Sequence, residues 1–367
     1  MKKTPDNIKN KILETHEKIE IGKKWTYFFL AFVFILTSFL SLIFVYHIAS
    51  SKESFFTLEI FPVKMFFQIG GLLFIYFTLD GLRLYYILKA LNIKIDFRYI
   101  LRLVFINIFV SNITPFATGG GFLQVFFLKK KGVAMGSAIA ATIIRTVLPI
   151  IFFFATTPFI FLFDRDLINM FSRKNSLFIV IFLFTAYVAA VFTLYRIFYN
   201  SKTIKRFICK FLNYFGNKNI ITANKVKNLR AYFFKEVDNF RGSVILFLKG
   251  DKKNVILAII FTLMFLFSLF MFPVLIIKGL NYDISIFSII AAQIIITAIT
   301  YFAPTPGATG IAEGGFSLIF SQFVQKKDIV SVTFAWRFFT IYTGFIIGLI
   351  IFYRELIKNN DKNEYKQ

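Results

Sequence analysis

Two arginines and one glutamate lie in stretches apolar enough to sit inside a bilayer. Arg145 and Arg337 each fall within an apolar run of membrane length, and Glu313 lies deep in another. Ionisable groups at that depth are costly and mark functional sites by default. A guanidinium presents a planar fork of donors that fits a phosphate bidentately. Glu313 has three uses open to it: pairing with an arginine, receiving a cationic headgroup, or taking up a proton during a transport cycle. Asn112, Thr118, Gln124, Gln293 and Thr309 supply neutral polar groups at similar depth. The plainer alternative is a structural Glu–Arg pair, because intramembrane ions usually pair with something. Asp80 and Arg83, three apart, share one helical face. They read equally well as a self-neutralising pair, with Arg83 snorkelling, and as functional groups.

These groups need a scaffold that holds polar chemistry inside apolar sequence, and a broken helix is one. The stretch from Tyr301 to Gly315 carries Pro304, Pro306, Gly307, Gly310 and Gly314 within such a region. Backbone broken at membrane depth is tolerated only where protein or a water-filled cavity surrounds it. An earlier copy occurs at Pro115-Phe116-Ala117-Thr118-Gly119, followed by Gly120 and Gly121; it matches Pro306-Gly307-Ala308-Thr309-Gly310 as P-x-A-T-G. A basic or mixed cluster follows each copy (Lys129-Lys130-Lys131; Lys326-Lys327-Asp328), and then an apolar helix with one arginine. Proline and arginine are 30 residues apart in the first copy (115 to 145) and 31 in the second (306 to 337). The ordered pattern reads as an internal repeat.

The composition sets the class. Of 367 residues, 57% are hydrophobic, 54 are phenylalanine and the formal net charge is +24. This is the composition of an all-α polytopic membrane protein. Its basic residues cluster between apolar runs, as positive-inside loops do, and no nucleic-acid-reading motif accompanies them. The single cysteine, Cys209, allows neither an internal disulfide nor a metal site, and no cofactor motif is present. His16 and His47 share no cluster.

The pattern predicts about six full spans plus two broken re-entrant hairpins. A basic cytoplasmic segment occupies 1–24. The first membrane repeat covers 25–199, with spans near 25–49, 64–92, 135–163 and 175–199 and a hairpin at 98–131. A basic amphipathic insert fills 200–253, its lysines and arginines interleaved with aromatics, as for an interfacial helix on anionic lipid headgroups. The second repeat covers 254–353, with spans near 254–278 and 329–353 and a hairpin at 284–325; a polar tail, 354–367, follows. Grouping spans one to three with the first hairpin, and four to six with the second, gives each unit an odd number of crossings, so the second is inverted. The hairpins then meet near the midplane from opposite faces, as in secondary transporters. The charge pattern puts both termini and the insert in the cytoplasm. The lysines at 326–327 then fall on the outer side and fit that rule less well.

At these motifs the chain resembles the lysylphosphatidylglycerol synthase/flippase transmembrane family. Asn112 through Gly120, Pro304 through Gly307, Glu313-Gly314 and Trp336-Arg337 carry the likeness, over roughly residues 20–355. The resemblance implies the flippase-like half of the multiple peptide resistance factors, without the soluble synthase domain, for which the chain leaves no room. Where many relatives have an acidic or amide residue after the paired glycines, this chain has Gly121, with Gln124 nearby.

The expectation is a bacterial inner-membrane flippase-like transporter. Its substrate would be a phospholipid of the phosphatidylglycerol or lysylphosphatidylglycerol type, and a homo-oligomer is possible. The substrate site would comprise Arg145, Arg337, Glu313, Gln124, Asn112, Thr118 and Thr309, on a hairpin backbone shaped by Pro115, Gly119, Gly120, Pro304, Pro306, Gly307, Gly310 and Gly314. The competing readings are a membrane component working with a separate phosphatidylglycerol lysyltransferase domain, and a transporter of small soluble anions.

Overall fold

The computed structural model describes residues 29–43, 46–47, 60–163, 185, 201–217 and 223–364. The N-terminal segment 1–24 and the span expected at 175–199, Thr185 apart, lie outside the described residues. Within them the protein is all-helical and has four helices long and apolar enough to cross a membrane. These are α2 (Val63–Ala90), α5 (Met135–Phe163, apolar over Met135–Thr157), α8 (Lys252–Gly279) and the last helix, continuous over Ile329–Glu355. Shorter apolar helices are α1 (Phe29–Ile43) and α9 (Ile286–Thr300). The chain is thus a multi-pass membrane protein, and α1 covers the middle of the span expected at 25–49.

Both broken elements form. The first is α3 (Phe97–Ile113), a single 3₁₀ turn at Pro115–Ala117, and α4 (Thr118–Lys130). The second is α9, a 3₁₀ turn at Pro306–Ala308, and α10 (Ile311–Phe320). At 1.5 Å per residue the four arms run from about 15 to 26 Å, each short of the roughly 30 Å hydrocarbon core. The two arms pack against each other in both elements.

Helix α2 lies antiparallel along α8. Met65 abuts Gly279, Tyr76 stacks on Phe265, and Tyr86 stacks on Phe261. The remaining contacts are exchanged between the two halves. The first arm of the first hairpin, α3, packs on α11 (Thr343–Glu364), which follows the second hairpin; α9 packs on α5, which follows the first. The two 3₁₀ turns touch each other. An antiparallel self-pair with swapped neighbours is the contact pattern of two units related by an axis across the helices.

Each hairpin has its own apolar core. Phe316, Phe320 and Trp336 stack around the second, while Phe34, Phe109, Phe345 and Phe352 close around the first. Outward faces carry exposed Phe67, Phe74 and Phe122, as a lipid-facing surface requires. The basic insert is a helical pair, α6 (Ser201–Asn217) and α7 (Ala223–Lys249). Helix α7 docks on the start of α5, where Gly136 N–H donates to Glu236 Oε2 at 2.7 Å and Ser243 bonds Ser137. Phe207, Phe211 and Tyr214 are exposed on α6.

Candidate functional site

The two P-x-A-T-G motifs share one turn over P-x-A; Thr118 then enters α4 directly (ψ −34°), whereas Thr309 is extended (ψ 140°) and Gly310 precedes the next helix. Thr114 and Thr305, each preceding a proline, are extended (φ −120° and −81°), as the proline ring dictates. Two successive left-handed residues follow: Phe116 and Ala117 (φ 53° and 52°), then Gly307 and Ala308 (φ 57° and 56°). The threonine hydroxyl closes each turn onto the proline carbonyl, Thr118 to Pro115 at 3.0 Å and Thr309 to Pro306 at 2.9 Å. Those hydroxyls, expected to face substrate, are therefore spent within their own turns.

Close packing explains two of the glycines. A Cβ on Gly307 would lie 2.4 Å from Phe34 and 2.8 Å from Asn112 Oδ1, so this is where the first hairpin and α1 press on the second break. A Cβ on Gly120 would lie 2.0 Å from Ser111 Oγ and 2.7 Å from the Asn107 carbonyl, so only glycine lets α4 start against α3. Asn112 donates to the Ile108 carbonyl at 2.7 Å.

The arginines belong to two separate buried clusters. Around Arg145, Nη2 reaches both Asp80 oxygens at 2.8 and 2.7 Å, and Nη1 reaches Gln124 Oε1 at 2.8 Å. Asp80 also takes a hydrogen bond from Arg83 Nε at 2.5 Å, and the Arg83 guanidinium sits 4.0 Å from the centre of the Phe265 ring. All four polar side chains are buried, Gln124 to 1% exposure and the others to 3–6%. Tyr76 and Tyr301 lie within electrostatic reach of the same charges. The cluster joins α2, the second arm of the first hairpin, α5 and the entry to the second break.

Its charge does not balance. Among the described residues one carboxylate faces two guanidiniums, leaving +1. Arg145 Nε and Gln124 Nε2 have no hydrogen-bond partner among the described residues; nor, at hydrogen-bond geometry, does Arg83 Nη1, although Tyr301 is nearby. Buried donors are rarely left unpaired. An excess positive charge with idle N–H groups has the chemistry to accept an anion.

The second cluster is neutral, although Tyr342, within electrostatic reach of both its charges, and Trp336, beside Arg337, each carry a buried polar atom without a hydrogen-bond partner among the described residues. Arg337 Nε donates to Glu313 Oε1 at 2.7 Å, and Nη2 donates to the Gly307 carbonyl at 2.8 Å. Glu313 Oε2 accepts from Gly310 N–H at 2.7 Å, with Glu313 0% exposed. Carboxylate and guanidinium thus lace the second break to the last membrane helix. A π-helical turn, Phe338–Tyr342, follows Arg337 directly; such turns are rare and frequent at functional sites. Gln293, in α9, is buried and bonds Thr297.

The expected site therefore divides. Arg145 and Gln124 come together, Arg337 and Glu313 come together, and the two arginines share no partner. Thr118 and Thr309 close the turns, and Asn112 bonds the Ile108 carbonyl within α3. Sequence reasoning missed Asp80 as the partner of Arg145, 65 positions away, and Tyr301 beside Arg83. A signal was present: a carboxylate at membrane depth needs a cation, and few were on offer.

Comparison with known proteins agrees with this architecture. Residues 28–348 match the family described as the lysylphosphatidylglycerol synthase TM region. A UPF0104 membrane protein of Archaeoglobus fulgidus is 27% identical over 287 residues, 77% of this chain and 84% of that protein. A UPF0104 membrane protein of Methanocaldococcus jannaschii is 25% identical over 288 residues, 76% and 81% of the respective lengths. No solved structure matches the chain.

Proposed function

The chain belongs to the lysylphosphatidylglycerol synthase transmembrane-region family, and from that premise we propose that it is a flippase-like transporter of anionic phospholipid. The substrate class is phosphatidylglycerol or its lysyl ester, held by its phosphate in the bilayer interior. One observation carries this reading: the buried Asp80–Arg83–Arg145–Gln124 cluster has one positive charge too many and unpaired donors. A phosphodiester carries one negative charge and several acceptor oxygens, so it supplies what the cluster lacks. Burying an uncompensated charge costs several kcal/mol, and a bound anion removes most of that cost.

In this reading Arg145 and Arg83 bind the phosphate, Gln124 donates to it, and Asp80 orients both guanidiniums. Arg337 and Glu313 do not bind substrate in this state; they latch the second break. The swapped contacts between the halves support an inverted repeat with two re-entrant hairpins meeting at their breaks, the architecture in which a site alternates between two faces. The dense basic charge of α6 and α7 supports a cytoplasmic insert on anionic headgroups, in a cell membrane with both termini cytoplasmic.

The test is mass spectrometry of lipids retained by gently purified protein, wild type beside Arg145→Gln, with translocation of a fluorescent phosphatidylglycerol in liposomes as the second readout. Enrichment of one anionic or aminoacylated lipid, lost with translocation in the variant, is the expected result. Retained lipid that mirrors the bulk membrane in both proteins, with equal translocation, would overturn the reading. Bound soluble anion in place of lipid would move it to small-anion transport.

A further inference from the structure

A second polar feature lies at the opposite end of the bundle from the basic insert. The C-terminal end of α2 faces the start of α8, which follows directly on α7. The other end, where Val63 begins α2 and Gly279 ends α8, opens into a cavity of about 1140 Å³. That is ample room for a ligand-sized occupant. Its walls come from three separate segments: Lys64 and Gln68 from α2, Lys278 through Asp283 from the end of α8, and Gln325 through Asp328 (without Lys326) from the turn after the second hairpin.

Lysines are unexpected here. Positive charge concentrates on the cytoplasmic side of a membrane protein, and in the orientation proposed above this is the other side. Yet three lysines from three segments converge on one cavity. Among the described lining residues there are two aspartates, leaving one positive charge over, and neither neutralises the group well. Asp283 meets Lys278 only at 3.8 Å, with its side chain fully exposed, which makes a weak pair. Asp328 is taken up by the Tyr282 hydroxyl, which donates to its Oδ2 at 2.5 Å and accepts from Gln325 N–H at 3.2 Å. Burial and that bond to Asp328 push the Tyr282 phenol up to about 12, so it stays a neutral donor. Lys64 and Lys327 have no ion pair among the described residues.

The geometry points to a binding vestibule for a phosphate-bearing polar group on the extracytoplasmic end, with Lys64 and Lys327 as its cationic contacts and Gln68 as a neutral donor. The vestibule stands above the buried cluster on the same helix: Gln68 and Asp80 are twelve positions apart, about 18 Å along the axis. It stands whether or not the buried cluster binds lipid.

The experiment measures binding of two probes to nanodisc-embedded protein by calorimetry: dihexanoylphosphatidylglycerol and inorganic phosphate. Wild type is set beside Lys64→Gln/Lys327→Gln, Asp283→Asn and Arg145→Gln. Both lysines are exposed, so the double variant should fold normally, checked by its thermal transition. Each exposed ion contact is worth at most about fivefold, so the double variant should bind about tenfold more weakly. Asp283→Asn should bind more tightly, and added salt should weaken every complex. Weakening with the lipid probe alone identifies a headgroup; weakening with both identifies a general phosphate site. Affinity within twofold of wild type in the lysine double variant, no binding of either probe, or loss of binding in Arg145→Gln alone would overturn the proposal.

Discussion

Replacing Asp80 by asparagine is the most informative single change to the buried cluster. The carboxylate receives two hydrogen bonds from Arg145 and one from Arg83, in a site with almost no solvent contact. Asparagine keeps the shape and one acceptor oxygen but removes the negative charge, so the cluster goes from +1 to +2. Removing one partner of a buried pair costs about 3–5 kcal/mol, because the cost is that of the charge left behind. Two guanidiniums are left here, so the upper half of that range, about 4–5 kcal/mol, is the expected loss.

Arg145→Gln is the matched control. It leaves Asp80 and Arg83 as a balanced pair at 2.5 Å and takes the cluster from +1 to 0. Its cost should be about 1–2 kcal/mol, the scale of lost hydrogen bonds rather than of an orphaned charge. Equilibrium unfolding of both variants in the same detergent or bilayer system gives the comparison. Deleting the lone anion must then cost more than deleting one of two cations. If Arg145→Gln costs as much as Asp80→Asn, the excess positive charge is already compensated, and the argument for an anion-receiving cluster fails.

Gly307→Ala should destabilise by about 2–4 kcal/mol, since it combines a left-handed alanine with overpacking against Phe34 and Asn112. Gly310→Ala, at φ +84° and ψ −50° in open space, should cost only the strain of that glycine-favoured region, about 1–3 kcal/mol; a Gly307→Ala variant as stable as wild type in thermal unfolding would show that the two breaks do not press together. Glu313→Gln should cost about 3 kcal/mol, because its amide NH2 replaces one of the two oxygens that accept from Arg337 and Gly310 N–H, and the Arg337 charge is left unpaired. A variant as stable as wild type would mean that the latch carries no load. Gly136→Val should undock α7, since a Cβ there lies 2.0 Å from the Glu236 carbonyl and 2.7 Å from Phe240 N, both backbone. Limited trypsin digestion should then cut the lysine-rich insert several-fold faster, and an unchanged digest would refute the docking.

The parts of the fold set by local chemistry were legible in the sequence. A proline fixes the residue before it and the start of the turn after it. Two P-x-A-T-G copies therefore implied one turn built twice, and the matched φ angles of Phe116–Ala117 and Gly307–Ala308 bear this out. Apolar run length located α2, α5, α8 and the last membrane helix for the same reason. Pairing was not legible, because it depends on which helix faces which. Asp80 and Arg83 looked complete as neighbours three apart, yet Asp80 spends two hydrogen bonds on Arg145, 65 positions away. Arg145 and Arg337 looked equivalent, and no spacing could show that one meets a carboxylate shared with a second arginine while the other meets a carboxylate of its own. The cavity at the end of α2 and α8 was legible only as an anomaly: lysines at 326–327 fell on the side where the expected orientation places few basic residues, and the convergence of Lys327 with Lys64 and Lys278 required the tertiary fold.

The asymmetry between the two repeats is itself a mechanical argument. Both copies keep the turn and the arginine, but their counter-groups differ. In the second copy Glu313 neutralises Arg337 and together they grip the Gly307 carbonyl and the Gly310 N–H, so three parts of one break are tied to the last membrane helix. In the first copy Arg145 is tied away from its own break, to Asp80 on α2 and to Gln124, and one charge remains uncompensated. A device with two paired copies would hold nothing, and one with two charged copies would bury two excess cations in the bilayer. One paired copy and one charged copy satisfies both constraints. Under the proposed function, the paired copy fixes its break to the last membrane helix, and an incoming anion would supply the charge that the other copy lacks.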